Sequence, residues 1–377
     1  MRRRTARAVV AVGLVAGLAA AGCSNESPTP PAPSAGAPAS PAPPVPTTTG
    51  FLPPGVPTEG TRPPTENLAL AAEPRSAPVP TSTPPGRQVR VGDAPEGVVV
   101  DPVTRTVAVA KRNPNELVLL DADTGEVRGR TPLPGFVRHL QLAGPGGPVL
   151  VPVESANAVV RVDLPGGTAQ APIVVGTVPH DVTQAPNGTV MAADELGGTV
   201  SAVRGDQVVK VFTDAVQPAG IVPVGNIVGM VDVRKNTLTT YDVDTLRIVG
   251  EVPSGAGPTH MVADRHGRMI ATDTRGDAVI VFEPTSGPNG GPREVARVAQ
   301  PGGPYGITYD PARDRLYVAS SGTNEVIAYD MTAPQPREVG RVATVQNPYT
   351  LGVDPQTGRL YVAGVSTGAI QIVDPPA

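Results

Sequence analysis

The 377-residue chain has one cysteine, no tryptophan, four phenylalanines and four histidines. A single cysteine excludes an intrachain disulfide framework and a Cys-rich zinc ribbon. With aromatics at 3% of residues, any core must be built from Val, Ile, Leu and Ala. No segment carries apolar residues at helical spacing for three turns, which excludes a helical domain. No apolar run reaches the length of a bilayer-spanning helix. A basic excess is missing too: the net charge is −4. Removal of residues 1–22, with Arg2, Arg3, Arg4 and Arg7, takes it to −8, which argues against nucleic acid as a partner. There is no Gly-x-Ser-x-Gly elbow and no Asp-x-Asp-x-Asp-Gly calcium loop. The Gly-rich runs at 144–148 and 287–292 lack the Lys and the following helix of a phosphate loop. No cofactor and no metal site are therefore expected.

What the chain does contain is a repeat. Pro95, Val137, Pro179, Pro218, Pro258, Pro304 and Pro348 each open a near-copy of one pattern, 39 to 46 residues apart. The sixth copy shows its content. Gly306–Tyr309 is β-rich, Asp310–Pro311 breaks it, and Leu316–Ala319, Val326–Asp330 and Glu338–Val342 follow as further β-rich runs. Four short runs with tight connections make an antiparallel meander. Such a sheet has two apolar faces and is not stable alone. Stacking copies around an axis buries both faces, so the period predicts an all-β, seven-bladed β-propeller over residues 87–377. The last copy is one strand short at its end, and an unassigned strand precedes the first. The N-terminal strand Val89–Val91 is expected to pair with Ile370–Ile372 and close the ring.

Before the propeller, residues 1–22 read as a secretion signal with a basic start and an apolar stretch of about 14 residues. Ala20-Ala21-Gly22-Cys23 resembles the bacterial lipobox, with Ala20 where Leu is commoner. The resemblance implies lipidation of Cys23 and anchoring to the outer face of the cell membrane. Residues 23–86 are Pro/Ala/Thr-rich, with 19 Pro among residues 24–86, and are expected to be a disordered linker carrying candidate O-glycosylation sites.

Leu316-Tyr317-Val318-Ala319 and Leu360-Tyr361-Val362-Ala363 resemble the second-strand signature of the YVTN-type (YncE-like) β-propeller repeat family. The Asp-Pro turns at 101–102, 310–311 and 354–355 and the Thr357-Gly358-Arg359 turn fit it as well. The likeness is strong in blades one, six and seven, and blades two and three depart from it. It implies the fold and little about function. The missing Trp argues against a quinone-cofactor propeller dehydrogenase.

In a propeller the loops entering the innermost strands ring the mouth of the central channel. Six of the seven such positions carry Glu96, Arg138, His139, His180, Asp181, His260, Tyr305 and Tyr349, the most chemically varied set in the chain. A concave ring of convergent polar groups is the default binding-site expectation. A wet channel mouth also presents polar residues without any function. His139 and His260 lie two places after the opening position and His180 one place after it, so strand alternation does not require that the three face one point. Glu154, Asp194, Glu195, Asp273 and neighbouring basic residues are expected farther out on the same face. The third-strand Asp residues (Asp121, Asp163, Asp242, Asp330, Asp374) are expected to cap turns.

Two functions compete. One is a monomeric, membrane-anchored binding or scaffold module for a small molecule, cell-wall component or protein. The other is a lyase or hydrolase resembling virginiamycin B lyase, with His180 or His260 as base beside Glu96.

Overall fold

The computed structural model describes residues 55–374. The expectations for the signal segment, for Cys23 and for residues 24–54 lie outside them. Among the described residues the strands form seven sheets in a ring. Blade six shows the plan, with Pro304–Asp310 innermost, then Arg315–Ser320, Glu325–Asp330 and Arg337–Ala343 outermost, all antiparallel. Arg87–Arg90 pairs antiparallel with Ala369–Ile372, Val89 opposite Ile370, so the N-terminal strand is the outer strand of blade seven. The two ends of the ring are thus joined by backbone hydrogen bonds and neither edge is left open. No described helix is long and apolar enough to cross a membrane.

The core lies between blades, as the two-faced apolar pattern requires. Val107, Val118 and Leu120 of blade one pack on Tyr361, Ile370 and Ile372 of blade seven. Val151 and Val160 of blade two pack on Ala108, Leu117 and Leu119 of blade one. Each fully buried Val, Leu or Ile is worth about 1.5–3 kcal/mol relative to exposure. Tyr supplies the bulk that Trp would otherwise bring, with its hydroxyl satisfied. Tyr329 donates to Gln300 Oε1 at 2.8 Å and Tyr241 to Asp214 Oδ2 at 3.0 Å. Three of the five third-strand Asp residues cap turns as expected: Asp121 accepts from the Asp123 and Thr124 amides, Asp242 from those of Asp244 and Thr245, and Asp330 from that of Thr332, whereas Asp163 and Asp374 bond the Gln170 and Arg359 side chains instead.

The innermost strands start irregularly. In blades three to seven the register against the second strand shifts by one residue just after the opening Pro. These are β-bulges, which re-aim side chains at the start of a strand. Glycine lets neighbouring inner strands meet there. A Cβ on Gly306 would lie 2.3 Å from the Tyr349 carbonyl, and one on Gly220 would lie 2.7 Å from that of Thr259.

Residues 55–86 correct the linker expectation. They lie on the propeller. Thr58–Glu59 adds a parallel fifth strand to the edge of blade three. The chain then crosses the face that carries the entry loops. Arg234 Nε donates to the Ala69 carbonyl at 3.1 Å, Arg275 to that of Leu70, and Arg75 pairs with Asp277 at 2.9 Å. The Ala77 amide donates to Asn347 at 2.8 Å, and Gln371 donates to the Pro85 carbonyl at 2.9 Å. A Pro-rich chain has few internal partners for its carbonyls, and here Arg234, Arg275, Asn324 (to the Pro78 carbonyl at 2.8 Å) and Gln371 of four blades supply them.

Candidate functional site

Three inner-strand starts bring His139, His180 and His260 together on the axis. The ring centroids are 4.4 Å apart for His139 and His180, and 4.2 Å for His139 and His260. The bulge at Pro179 explains the convergence: it skips His180 in the ladder, so strand phase no longer sends that ring away from the other two. His260 is held from both sides. Its Nδ1 lies 2.9 Å from the Tyr305 carbonyl and its Nε2 lies 2.9 Å from His139 Nε2. Only a protonated Nδ1 can bond a carbonyl, so Nε2 of His260 is the acceptor and His139 Nε2–H the donor. Burial, with the two other imidazoles next, pushes His139 well below the usual range, and burial followed by His180 takes His260 down to about 3. Both rings are neutral at physiological pH.

Beside them lies a charged knot. Arg138 Nε is 2.6 Å from Glu154 Oε1, and its Nη2 bonds Glu195. Both carboxylates also face His180 Nδ1, at 3.3 Å and 3.7 Å. Gln217 adds a bond to Glu195 at 3.0 Å. Burial alone would raise Glu195; Arg138 and His180 hold it below the ordinary carboxylate range. Glu96 is raised by burial despite Arg112, which bonds it at 2.7 Å. Asp181 is pushed up to about 6 by burial, against bonds from Gln141, Val182 and Ile221.

The expected ring is thus real as a set of neighbours but is not a wet mouth. Glu96, His139, His180, Asp181, His260 and Tyr305 are all buried, between 3% and 7% exposed, and Arg138 and Tyr349 are half-buried. Tyr305 covers His260 edge-on at 4.3 Å, and Tyr349 packs on Tyr305 at 5.6 Å. Glu73, from the segment that crosses this face, is raised chiefly by burial and feels Arg138, Glu195 and His180. Glu96 bonds Arg112, and the carboxylates that face a histidine are others. Glu154 and Glu195 take that place, not the outlying one expected of them. Their signal was in the sequence: each follows the second strand, in adjacent blades two and three. Asp194 and Asp273 are structural: they accept the entry-loop amides of Gly176 and of Ala256 and Gly257.

Below the histidine layer the axis is hollow. A cavity of about 660 Å³ runs from His139, His260 and Asp181 to the Asp-Pro turn end at Pro145, Pro311 and Pro355. Val, Leu, Ile and Met of the inner strands form the largest share of its walls, and Gln141, Asp181 and Thr350 are its polar groups near the histidines. Thr350 Oγ1 is buried there without a hydrogen-bond partner.

No family model and no curated protein matches the chain. Solved structures do. The chain is similar to Kuenenia stuttgartiensis hydrazine synthase (TM-score 0.64, 16% identity, covering 76% of this chain and 97% of that one). It is similar to virginiamycin B lyase from Staphylococcus aureus (TM-score 0.60, 17% identity, 76% and 98%). It also resembles the β-propeller domain of Myceliophteria thermophila Cps50 (Swd1) (TM-score 0.65, 13% identity, 76% and 99%). At these identities the likeness establishes the seven-bladed β-propeller fold and nothing of the chemistry.

Proposed function

We propose that the protein is an extracytoplasmic binding module, anchored to the outer face of the cell membrane by a lipid on Cys23, that takes a small molecule into its axial channel. The observation that carries this reading is the 660 Å³ cavity with apolar walls and a polar inner end. Cavities of that size enclose a drug-sized ligand and orient it with a few polar groups. Asp181, Gln141 and the orphan Thr350 hydroxyl are such groups, and an unsatisfied buried hydroxyl calls for a partner. The entry-loop face was the expected approach. Residues 55–86 cross that face, so the ligand enters from the Asp-Pro turn end. The repeats are read as YVTN-type, which leaves the ligand open.

The test is native mass spectrometry of the full chain incubated with small-molecule extracts of envelope material, wild type against Thr308→Trp. Thr308 lines the channel, and an indole there fills it. The reading expects adducts on the wild type that the variant loses while staying folded. Equal adducts on both, or none on either, overturn it. For the anchor, Cys23→Ser is expected to leave the membrane fraction; continued partitioning would mean another attachment.

A second reading, a lyase, is favoured by the likeness to virginiamycin B lyase together with a histidine, His180, that faces two carboxylates. Incubation with virginiamycin B, followed by chromatography, separates the two. A lyase converts it in a manner abolished by His180→Ala, and a binding module leaves it intact.

A further inference from the structure

We propose that His139, His180 and His260 form a binding site for one divalent transition-metal ion of the zinc type at the inner end of the channel. The inference goes beyond the binding reading and does not depend on any organic ligand.

The donor set is right for such an ion. One nitrogen from each of the three imidazoles lies within 4.8 Å of the others, and all three residues are buried. Three imidazoles from three blades are a borderline, neutral set that suits zinc, copper(II) or nickel(II) and not magnesium or calcium. The blade origin also explains why no ligand spacing appears in the sequence.

The outer contacts are those of metal-binding histidines. A ligating His ordinarily gives its other ring nitrogen to a carboxylate or a backbone carbonyl, which fixes the ring and the tautomer. His260 does so through Nδ1 to the Tyr305 carbonyl at 2.9 Å. His180 does so through Nδ1 to Glu154 at 3.3 Å, which leaves Nε2 for the cluster. His139 presents Nε2 to His260 Nε2 at 2.9 Å. Zinc–nitrogen bonds of about 2.0–2.1 Å in a tetrahedron place two nitrogens roughly 3.3 Å apart. The pair therefore opens by a few tenths of an ångström, and the His139 proton moves to its other ring nitrogen.

Charge balance favours a cation. Arg138 is one positive charge against Glu154 and Glu195, which leaves one negative. The other candidate set, Glu154, His180 and Glu195, is already filled: the Arg138 guanidinium sits on both of its carboxylates. Among the described residues no guanidinium or ammonium bonds the three imidazoles. Three protein ligands also leave a fourth position, and with His139 and His260 lining the cavity it faces the channel.

The test uses the full chain, stripped with chelator and titrated with zinc sulfate against a chromophoric competitor. We expect one zinc per chain in the wild type and in His266→Gln, and none in His139→Gln or His260→Gln. His266 is the histidine on the opposite rim, bonded to Asp314. Circular dichroism reports whether each variant is folded. Absence of stoichiometric uptake by the wild type, retention by both channel variants, or loss in His266→Gln overturns the proposal. If the two channel variants do not fold, cobalt(II) in the wild type decides. Intense visible bands of a tetrahedral site are expected, and only the weak bands of six-coordinate cobalt overturn it.

Discussion

Blades two and three differ from blades six and seven in a way that separates what holds this molecule together from what it does. Blades six and seven follow the repeat closely. Blade six has inner and second strands of seven and six residues, and its second strand ends on the small polar Ser320. Their inner-strand starts bring Tyr305 and Tyr349, which pack as a lid. Blade two has an inner strand of only Gln141–Leu142. Blades two and three end their second strands next to Glu154 and Glu195 and open their inner strands with Arg138, His139, His180 and Asp181. The regular blades bring tyrosines to the channel mouth, and the irregular ones bring the Arg138–Glu154–Glu195 knot there. A seven-fold stack tolerates this because each blade touches only its neighbours, so one strand can be shortened without changing the ring. Where the repeat is weakest, its sequence has been released for the site.

The sharpest way to break the comparison is Arg138→Met. Arg138 is the guanidinium that bonds both Glu154 and Glu195, which are 1% and 8% exposed in their side chains. Leaving buried carboxylates unpaired costs about 3–5 kcal/mol. We expect Arg138→Met to lose that much in urea unfolding, and the triple change Arg138→Met, Glu154→Gln, Glu195→Gln to recover most of it. An Arg138→Met protein within about 1 kcal/mol of the wild type would mean that the knot is wetter than its burial implies.

The same contrast marks what could be read from the sequence. Turns and strand starts are local chemistry, so Asp310-Pro311, Leu316–Ala319 and the spare strand at Arg87–Arg90 were legible, and with them the ring and its closure. The site was legible as a list and not as a geometry. Strand phase kept His180 from joining His139 and His260, because a one-residue bulge after Pro179 leaves no mark in the alternation. Residues 55–86 read as free linker because composition reports what a segment can bury by itself. It does not report that Arg234, Arg275 and Asn347, far along the chain, bond its backbone. Glu154 and Glu195 were in view at their correct loops, but their distance from the axis needed the fold.

A smaller effect sharpens the electrostatic side. Asp181 has its ordinary value, 3.8, when unfolded and is pushed up to about 6 when folded. The folded state therefore holds the proton more tightly. Its contribution is fully present below about pH 4 and is lost as pH rises through about 6. Asp181→Asn stays neutral throughout. The melting temperature of the wild type minus that of the variant should fall between pH 4 and pH 6 and be level above. His260, with its folded value about 3, runs the other way: stability lost as pH falls from its ordinary 6.5 toward about 3. It is present in both proteins and cancels in the difference. A difference that is flat across the window means Asp181 stays ionised in the folded state.

The smallest effect is expected where the crossing segment meets the regular blades. Arg75 pairs with Asp277 at 2.9 Å, with the two side chains 44% and 33% exposed. Exposed ion pairs are worth about 0–1 kcal/mol, because water screens the charges and holding two long side chains costs entropy. Arg75→Ala should therefore leave global unfolding unchanged within that range. Its effect should instead be local. The Arg75 amide also bonds Ser321 Oγ at 2.8 Å, and two residues on Ala77 is buried with its amide on Asn347, so the backbone contacts outlast the ion pair. Hydrogen exchange of the Arg75 and Ala77 amides tests this. Both should stay protected in the wild type and exchange faster in Asn347→Ala than in Arg75→Ala. If Arg75→Ala releases them as fully as Asn347→Ala does, charge and not backbone bonding holds the segment over the irregular blades' buried site.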